Sequence, residues 1–193
     1  PEGVLSALAP GQLVINLGTN LPSADRRLAA LVAARGGDML DAPLAVHGER
    51  WVAPVGGSPK AFQRALPVLE LLAQRVAYVG PSGCGQLTKL LDQIMGAAHT
   101  AALAEGLAFA RRVGLEPRVA ADLLELSGAE AMLSGQYAGH GELRQQTRDL
   151  GYALDVAQEM GLSAPLTAIT NEIFKAVAAH SDSSWQETAL ITY

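Results

Sequence analysis

Val79 to Arg112 reads VGPSGCGQLTKLLDQIMGAAHTAALAEGLAFARR, and this run limits what the chain can fold into more than any other. It opens on Gly80, Gly83 and Gly85 and continues from Gln86 to Arg112 with no proline. Glycine permits backbone angles closed to other residues, and the residues after it are strong helix formers. The pattern predicts a loop turning into one long helix over residues 86–112. At 1.5 Å per residue that helix reaches roughly 40 Å, enough to be the central post of a domain. Its middle carries Gly96, Ala97, Ala98, Ala101, Ala102, Ala104, Gly106 and Ala108. Small side chains let backbones approach closely, so this stretch is expected to be buried against other helices.

Near the start of the helix, Lys89, Asp92 and Gln93 stand at i, i+3 and i+4 and therefore share a face. An amine beside a carboxylate and an amide, one turn after a glycine loop, is the makings of a proton-transfer group with orienting partners. The same spacing also describes an exposed ion pair worth a few tenths of a kcal/mol, and on spacing alone that plainer reading is favoured.

Upstream, helix and strand patterns alternate. Val4–Leu8 reads as a short helix ended by Pro10-Gly11. Leu13–Leu17 is a short apolar run suited to a buried strand, with Gly18-Thr19-Asn20 as the turn after it. Ser23 is a candidate cap for a helix over Ala24–Ala34. Strands are expected at Asp38–Asp41, Trp51–Val55 and Arg75–Val79, with a helix over Pro59–Gln74. Such βαβα order argues for a parallel or mixed sheet with helices on its faces. Ligands of such sheets sit beyond the C-terminal ends of strands, which makes Thr19 a candidate contact, though a plain turn threonine is an equal reading.

After residue 80 the strand signals stop. Helices are expected over Pro117–Leu126, Ala129–Leu133 and Glu142–Met160, then from Ser163-Pro165 to Ala179, and over Trp185–Ile191, with a loose run SGQYAGHGE between the second and third. The chain is thus α/β and then all-α.

Composition narrows the function classes. Charged residues make up 17% against 49% hydrophobic, which fits a well-buried fold, and aromatics at 5% favour close helix packing over a β-sandwich. A formal charge of −5 without a Lys/Arg cluster speaks against a nucleic-acid partner. No apolar run reaches the about 18 residues that cross a bilayer. A single cysteine, Cys84, leaves no internal disulfide, is read as structural and suits a reducing, cytoplasmic setting. The sequence opens inside an amphipathic segment without an initiator Met, so it reads as a fragment or a processed form.

Motif tests stop short of a reaction. Gly83-Cys84-Gly85-Gln86-Leu87-Thr88 matches only the first two glycines of a dinucleotide fingerprint, and no phosphate loop or nucleophile elbow is present. His47, His99, His140 and His180 show no metal-ligand spacing and read as surface or packing residues; no metal is expected.

Taken together, five segments in order resemble the β-hydroxyacid dehydrogenase family, which includes 3-hydroxyisobutyrate and tartronate semialdehyde dehydrogenases. PGQLVINLGTNLPS is similar to its strand ending in an Asp-x-Ser-Thr turn: Thr19 and Pro22 match, while Asn16 and Gly18 depart. DAPLAVHGERWVAPVGG resembles the substrate loop that begins Asp-Ala-Pro-Val-Ser-Gly-Gly, with Asp41, Ala42 and Pro43 kept and Ala45, Val46 and His47 replacing Ser-Gly-Gly. GPSGCGQLTKLLDQ resembles the glycine turn and catalytic lysine, with Lys89 on the lysine, Asp92 for the usual Asn, and Gln93 compatible. AEGLAFARRVGLEP resembles the continuation of the long helix, and RDLGYALDVAQEMGLSAP the late Lys-Asp-Leu motif with Arg148 for its Lys and Asp149 matching.

The resemblance implies the C-terminal part of a Rossmann-type cofactor domain over residues 1–80. A helical domain like that of 6-phosphogluconate dehydrogenase follows over 81–193 and builds the substrate site and a homodimer or tetramer. The first half of the cofactor domain, with its glycine fingerprint, is absent from this sequence. The implied activity is hydride transfer between NADP or NAD and a small hydroxy acid or related carbonyl compound. Lys89 would carry the substrate proton, with Asp92 as its partner. Thr19 and Arg148 would contact the cofactor, and Ala45, Val46, His47 and Gln93 the substrate. The replaced Ser-Gly-Gly leaves one rival reading, a non-catalytic oligomerisation or scaffold module derived from this fold.

Overall fold

The computed structural model describes residues 3–47, 50–135, 143–180 and 186–192. It resolves into two compact units, Pro1–Asp92 and Gln93–Tyr193. The division falls within the long helix.

In the first unit a 3-10 turn over Val4–Ala7 precedes strand β1, Leu13–Asn16. Helix α1, Pro22–Ala33, leads to β2, Asp38–Asp41, which runs parallel to β1 in the register Leu13↔Asp38 to Asn16↔Asp41. The cap of α1 is Leu21, not Ser23, because Pro22 takes the first helical position, where its missing N–H costs nothing. β3, Ala45–His47, and β4, Arg50–Gly56, form an antiparallel pair in the register Ala45↔Val52 to His47↔Arg50. Sequence patterning misses β3: three residues are too few to show a period of two, and pairing with β4 sets their conformation. Helix α2, Pro59–Leu72, is capped by Ser58, whose hydroxyl accepts from Ala61 N at 3.1 Å. It returns the chain to β5, Arg75–Gly80, parallel to β4. The sheet is therefore mixed, ordered β1-β2-β4-β3, with β5 on the other side of β4.

α2 packs its Ala61, Ala65 and Leu69 against Leu40 and Val55, with Phe62 and Val76 at the margin. All four residues of β1 are half-buried rather than buried as LVINL suggests. β1 ends the sheet and, among the described residues, has a strand on one side only.

Helix α3 runs over Cys84–Arg112, starting two residues earlier than the glycines suggest. Beyond it the second unit is helical: α4 Pro117–Leu123, α5 Ala129–Leu133, α6 Leu143–Glu159, α7 Pro165–His180, and a 3-10 segment Glu187–Thr192. Leu107 of α3, Leu150 of α6 and Phe174 of α7 lie in its core. Of the expected terminal helix, Trp185 lies outside the described residues, as do His140, Glu142 and most of the SGQYAGHGE run; the remainder of that helix is 3-10.

The small-residue middle of α3 needs a correction. Ala97 and Ala104 are buried, but Gly96, Ala102, Gly106 and Ala108 are exposed. Helical periodicity turns Ala97, Ala104 and Leu107 inward and leaves Met95, Ala102, Gly106 and Phe109 on another face.

Candidate active site

The start of α3 is set by one buried carboxylate. Asp41, at the end of β2 and 1% exposed, accepts from Gly83 N at 2.8 Å and from Gln86 N at 3.0 Å. It thereby satisfies two donors of the helix entry that have no partner inside the helix. Burial pushes its carboxyl above the ordinary carboxylate range; the two N–H groups oppose this, and the nearby Asp25 adds to it. Gly56 and Gly85 leave room for this junction, since a Cβ on either would fall within 3 Å of Asp41.

Gln86 ties the helix to the turn after β1. Its side chain is fully buried; Oε1 accepts from Asn20 N at 3.0 Å, while Nε2 donates to Gly18 O at 2.8 Å and to Asp25 Oδ2 at 2.7 Å. Thr19 sits half-buried between those two anchored residues, at the C-terminal end of a parallel strand. Sequence reasoning passed over both Gln86 and Asp25. The available signal for Gln86 was its place three residues before Lys89, at the mouth of the glycine turn.

Asp25 also explains why Asn16 stands where the resemblance has an aspartate. Asn16 Nδ2 lies 3.0 and 2.9 Å from the two oxygens of Asp25, which is fully buried. A second carboxylate there would face the first. Asn16→Asp is expected to lose about 2–3 kcal/mol in urea unfolding, as for a buried charged acceptor that loses its donor. Adding Asp25→Asn should restore part of the loss; an unchanged urea midpoint for the single variant would refute the account. Nothing in the packing around Gly18 demands glycine.

One turn further along α3, Lys89 is 7% exposed, so the plain reading of an exposed surface pair does not hold. Its Nζ lies 3.4 Å from Asp92 Oδ2. The other oxygen of Asp92, Oδ1, lies 3.2 Å from His47 Nε2 on β3. These three side chains line a cavity of about 760 Å³, walled also by Ala45, Val52, Pro54, Ala77, Val79 and Thr88, with Arg50 and Arg75 on its rim strands. The cavity lies wholly within the first unit. The walls are apolar over most of their area, and Arg50, Gln74, Arg75 and Thr88 join His47, Lys89 and Asp92 as the polar groups of the lining, a make-up that suits a small-molecule site.

The other predicted residues are placed as follows. Ala45 is buried and lines the cavity; Val46 is exposed, pairs with Trp51 in the hairpin and is not among the lining residues. Thr19 is likewise not among them. Gln93 opens the second unit, and its carbonyl accepts from Gln146 Nε2 at 3.3 Å. Arg148, on α6, holds the neighbouring Asp149 through Nε and Nη2 at 3.0 and 2.8 Å and sits 5.8 Å from the centre of the Tyr152 ring. About half of its side chain stays open to solvent. His99 and His180 bond the carbonyls of Ser127 and Ala176. No group of His, Cys, Asp and Glu suited to a metal ion occurs among the described residues.

Comparison with known proteins bears on this arrangement. Residues 83–193 match the family model described as the NAD-binding segment of NADP-dependent 3-hydroxyisobutyrate dehydrogenase. Residues 1–80 match that of the NAD-binding domain of 6-phosphogluconate dehydrogenase. The chain is 31% identical over 206 residues to the 2-hydroxy-3-oxopropionate reductase of Escherichia coli, covering 98% of this chain and 70% of that protein. It is 32% identical over 194 residues to the 3-hydroxyisobutyrate dehydrogenase of Pseudomonas aeruginosa, covering 90% and 65%. It is 28% identical over 190 residues to the 2-(hydroxymethyl)glutarate dehydrogenase of Eubacterium barkeri, covering 91% and 63%. The chain therefore spans a little under two thirds of the length of the last two. Among solved structures, the 3-hydroxyisobutyrate dehydrogenase of Mycobacterium tuberculosis with L-serine aligns at a TM-score of 0.86 and 25% identity, over 98% of this chain and 72% of that one. The Rossmann-type segment followed by a helical domain is the fold shared with these structures. The nicotinamide cofactor of both matching family models is NAD or NADP. On these matches the chain belongs to the β-hydroxyacid dehydrogenase family.

Proposed function

We propose that this chain is the substrate-facing part of an oxidoreductase that moves a hydride between NAD or NADP and a small hydroxy acid or a related carbonyl compound. The observation that carries the reading is Lys89 itself: a buried amine lining a mainly apolar cavity, with a carboxylate 3.4 Å away. A scaffold derived from this fold has no use for a cation in that position.

The nicotinamide, when bound, supplies or takes up the hydride. The chain's own residues handle the rest. Lys89 Nζ gives a proton to the substrate oxygen during reduction and receives it during oxidation. Asp92 holds the amine toward the cavity. The half-buried turn around Thr19, fixed by Gln86, suits the nicotinamide end of the cofactor, at the place where parallel sheets hold ligands. Arg148, with a half-open guanidinium, is the proposed contact for a cofactor or substrate anion. Ala45 and His47 face the substrate within the cavity, and Val46 and Gln93 complete the proposed substrate set. Where the resemblance has Ser-Gly-Gly, this chain has the strand β3, and its His47 imidazole lines the cavity. The test is turnover of NADH and NADPH by a longer protein that contains the complete cofactor domain, against small hydroxy acids, aldehydes, ketones and imines. Hydride transfer to at least one carbonyl compound is expected; none with any of them would overturn the proposal in favour of the scaffold.

The helical unit is further proposed to pair with a second copy. Met95, Ala102, Gly106 and Phe109 lie exposed along α3, and a Cβ at Gly106 meets nothing within 4 Å. Gly106→Arg should therefore spare the packing of the chain while splitting a dimer. Light scattering is expected to report a dimer or tetramer for the parent and a smaller species for the variant; a monomeric parent would refute the pairing. A cytoplasmic location fits the proposed substrates, and no helix among the described residues is long and apolar enough to cross a membrane.

A further inference from the structure

Asp92 serves two cationic groups with two different oxygens. Oδ2 faces the buried Lys89 at 3.4 Å, and Oδ1 faces His47 Nε2 at 3.2 Å. The two partners differ sharply in exposure: the Lys89 side chain is 9% open to solvent and that of His47 58%. The chain Lys89–Asp92–His47 thus runs from inside the cavity to bulk water. We infer that His47 is a positioning residue for Lys89: acting through Asp92, it sets the carboxylate's orientation toward the amine and makes the amine's surroundings depend on the charge of an exposed imidazole.

The physical argument rests on competition for one carboxylate. With His47 neutral, the Nε2–Oδ1 contact carries no net charge, and Asp92 turns its charge to Lys89 through Oδ2. With His47 protonated, a second positive charge shares the same carboxylate and repels the ammonium across it. The remaining charged groups on the cavity are Arg50, the cross-strand partner of His47, and Arg75 on β5. Both keep their charge throughout the range in which imidazole titrates, so they set a constant background and leave His47 as the variable group. The two positions also belong together in the sequence. Asp92 stands where the resemblance has Asn, and His47 where it has Gly. An Asn at 92 would offer one acceptor oxygen and could not hold both partners; a Gly at 47 would leave the second oxygen of the aspartate without its cation.

This inference takes its catalytic meaning from the proposed role of Lys89, but it can be tested without turnover. The chain contains only three lysines, Lys60, Lys89 and Lys175. With 13C at the lysine ε-carbon, NMR gives three signals, assigned by Lys→Arg variants. Across the pH change that protonates His47, the Lys89 signal is expected to move while those of Lys60 and Lys175 stay still. In His47→Gln, which keeps a polar side chain of similar reach but carries no charge, that movement should vanish with the fold intact. In Asp92→Asn it should shrink. A Lys89 signal that moves identically in parent and His47→Gln, or moves in neither, overturns the inference.

In the longer, turnover-competent protein, His47→Gln should change kcat about two- to fivefold, the range of a partly exposed ionic coupling. The change should be larger on the acid side of the pH profile, where His47 is protonated, with KM for the cofactor unaltered. The two failures are distinguishable. Coupled NMR signals with no turnover leave the inference standing and remove the oxidoreductase. Normal turnover with a Lys89 signal indifferent to His47 does the reverse.

Discussion

Lys89→Met, made in a protein that carries the complete cofactor domain, is expected to lower kcat by about 10²–10⁴-fold, the usual worth of a positioned general acid or base. Methionine keeps a flexible, unbranched shape of similar length and removes only the charge and the proton. The residue is 7% exposed and borders apolar walls, so the replacement costs little in packing. Cofactor affinity should change little, because the proposed nicotinamide contacts lie on the turn around Thr19 and at Arg148. Lys89→Arg is a sharper control. It restores the positive charge, yet arginine does not release its proton in a protein, so it should remain inactive. Steady-state rates together with cofactor titration decide the matter. A variant that turns over at the parent rate would remove Lys89 from the chemistry and with it the proposed function.

Gly85→Ala is expected to have the largest effect on stability. A Cβ at Gly85 would come 2.2 Å from Asp41 O, 2.8 Å from Pro54 O and 2.9 Å from Asp41 Oδ2. Two of these atoms are backbone, on β2 and β4, and cannot rotate away. The helix start must retreat or the two strands must part, and either movement disturbs the hydrogen bonds from Gly83 N and Gln86 N to Asp41. Overpacking of this kind costs about 3 kcal/mol or more. For a unit of this size that lowers the melting midpoint by roughly 10 °C or more. Gly96→Ala is the matched control. It lies in the same helix, and its Cβ meets nothing within 4 Å. It should be neutral or raise stability by about 0.5–1 kcal/mol through lost chain entropy. Circular-dichroism melts of the two variants check both statements. Equal midpoints would show that the junction yields more easily than its geometry implies.

Much of the fold was legible because it rests on local signals. Pro59 and Pro117 mark helix starts, Gly80 to Gly85 mark the turn into α3, and the end of strand patterns after residue 80 separates the two units' architectures. The losses were of two kinds. β3 exists because β4 lies beside it, and no property of Ala45, Val46 and His47 alone demands a strand. The small residues of α3 were expected to be buried because the composition of a helix does not say which face is covered within one chain. At the site, Lys89 was singled out on its place after the glycines, but its burial was not. The cavity that Lys89 lines is built with residues of β3 and β4, more than thirty positions upstream. Asp25 and Gln86 were missed for the same reason: Gln86 bonds Gly18 and Asp25 across more than sixty positions of chain.

Strand β1 carries a consequence for handling. One flank of its main chain has no neighbour among the described residues, and its four side chains are only half covered. A bare border of amide hydrogens and carbonyls is a template to which any extended peptide can add, including the same segment of another molecule. No lysine or proline guards Leu13 to Asn16. Preparations of this polypeptide alone are thus expected to be cohesive along that border, and a lysine placed outward on it is the natural remedy.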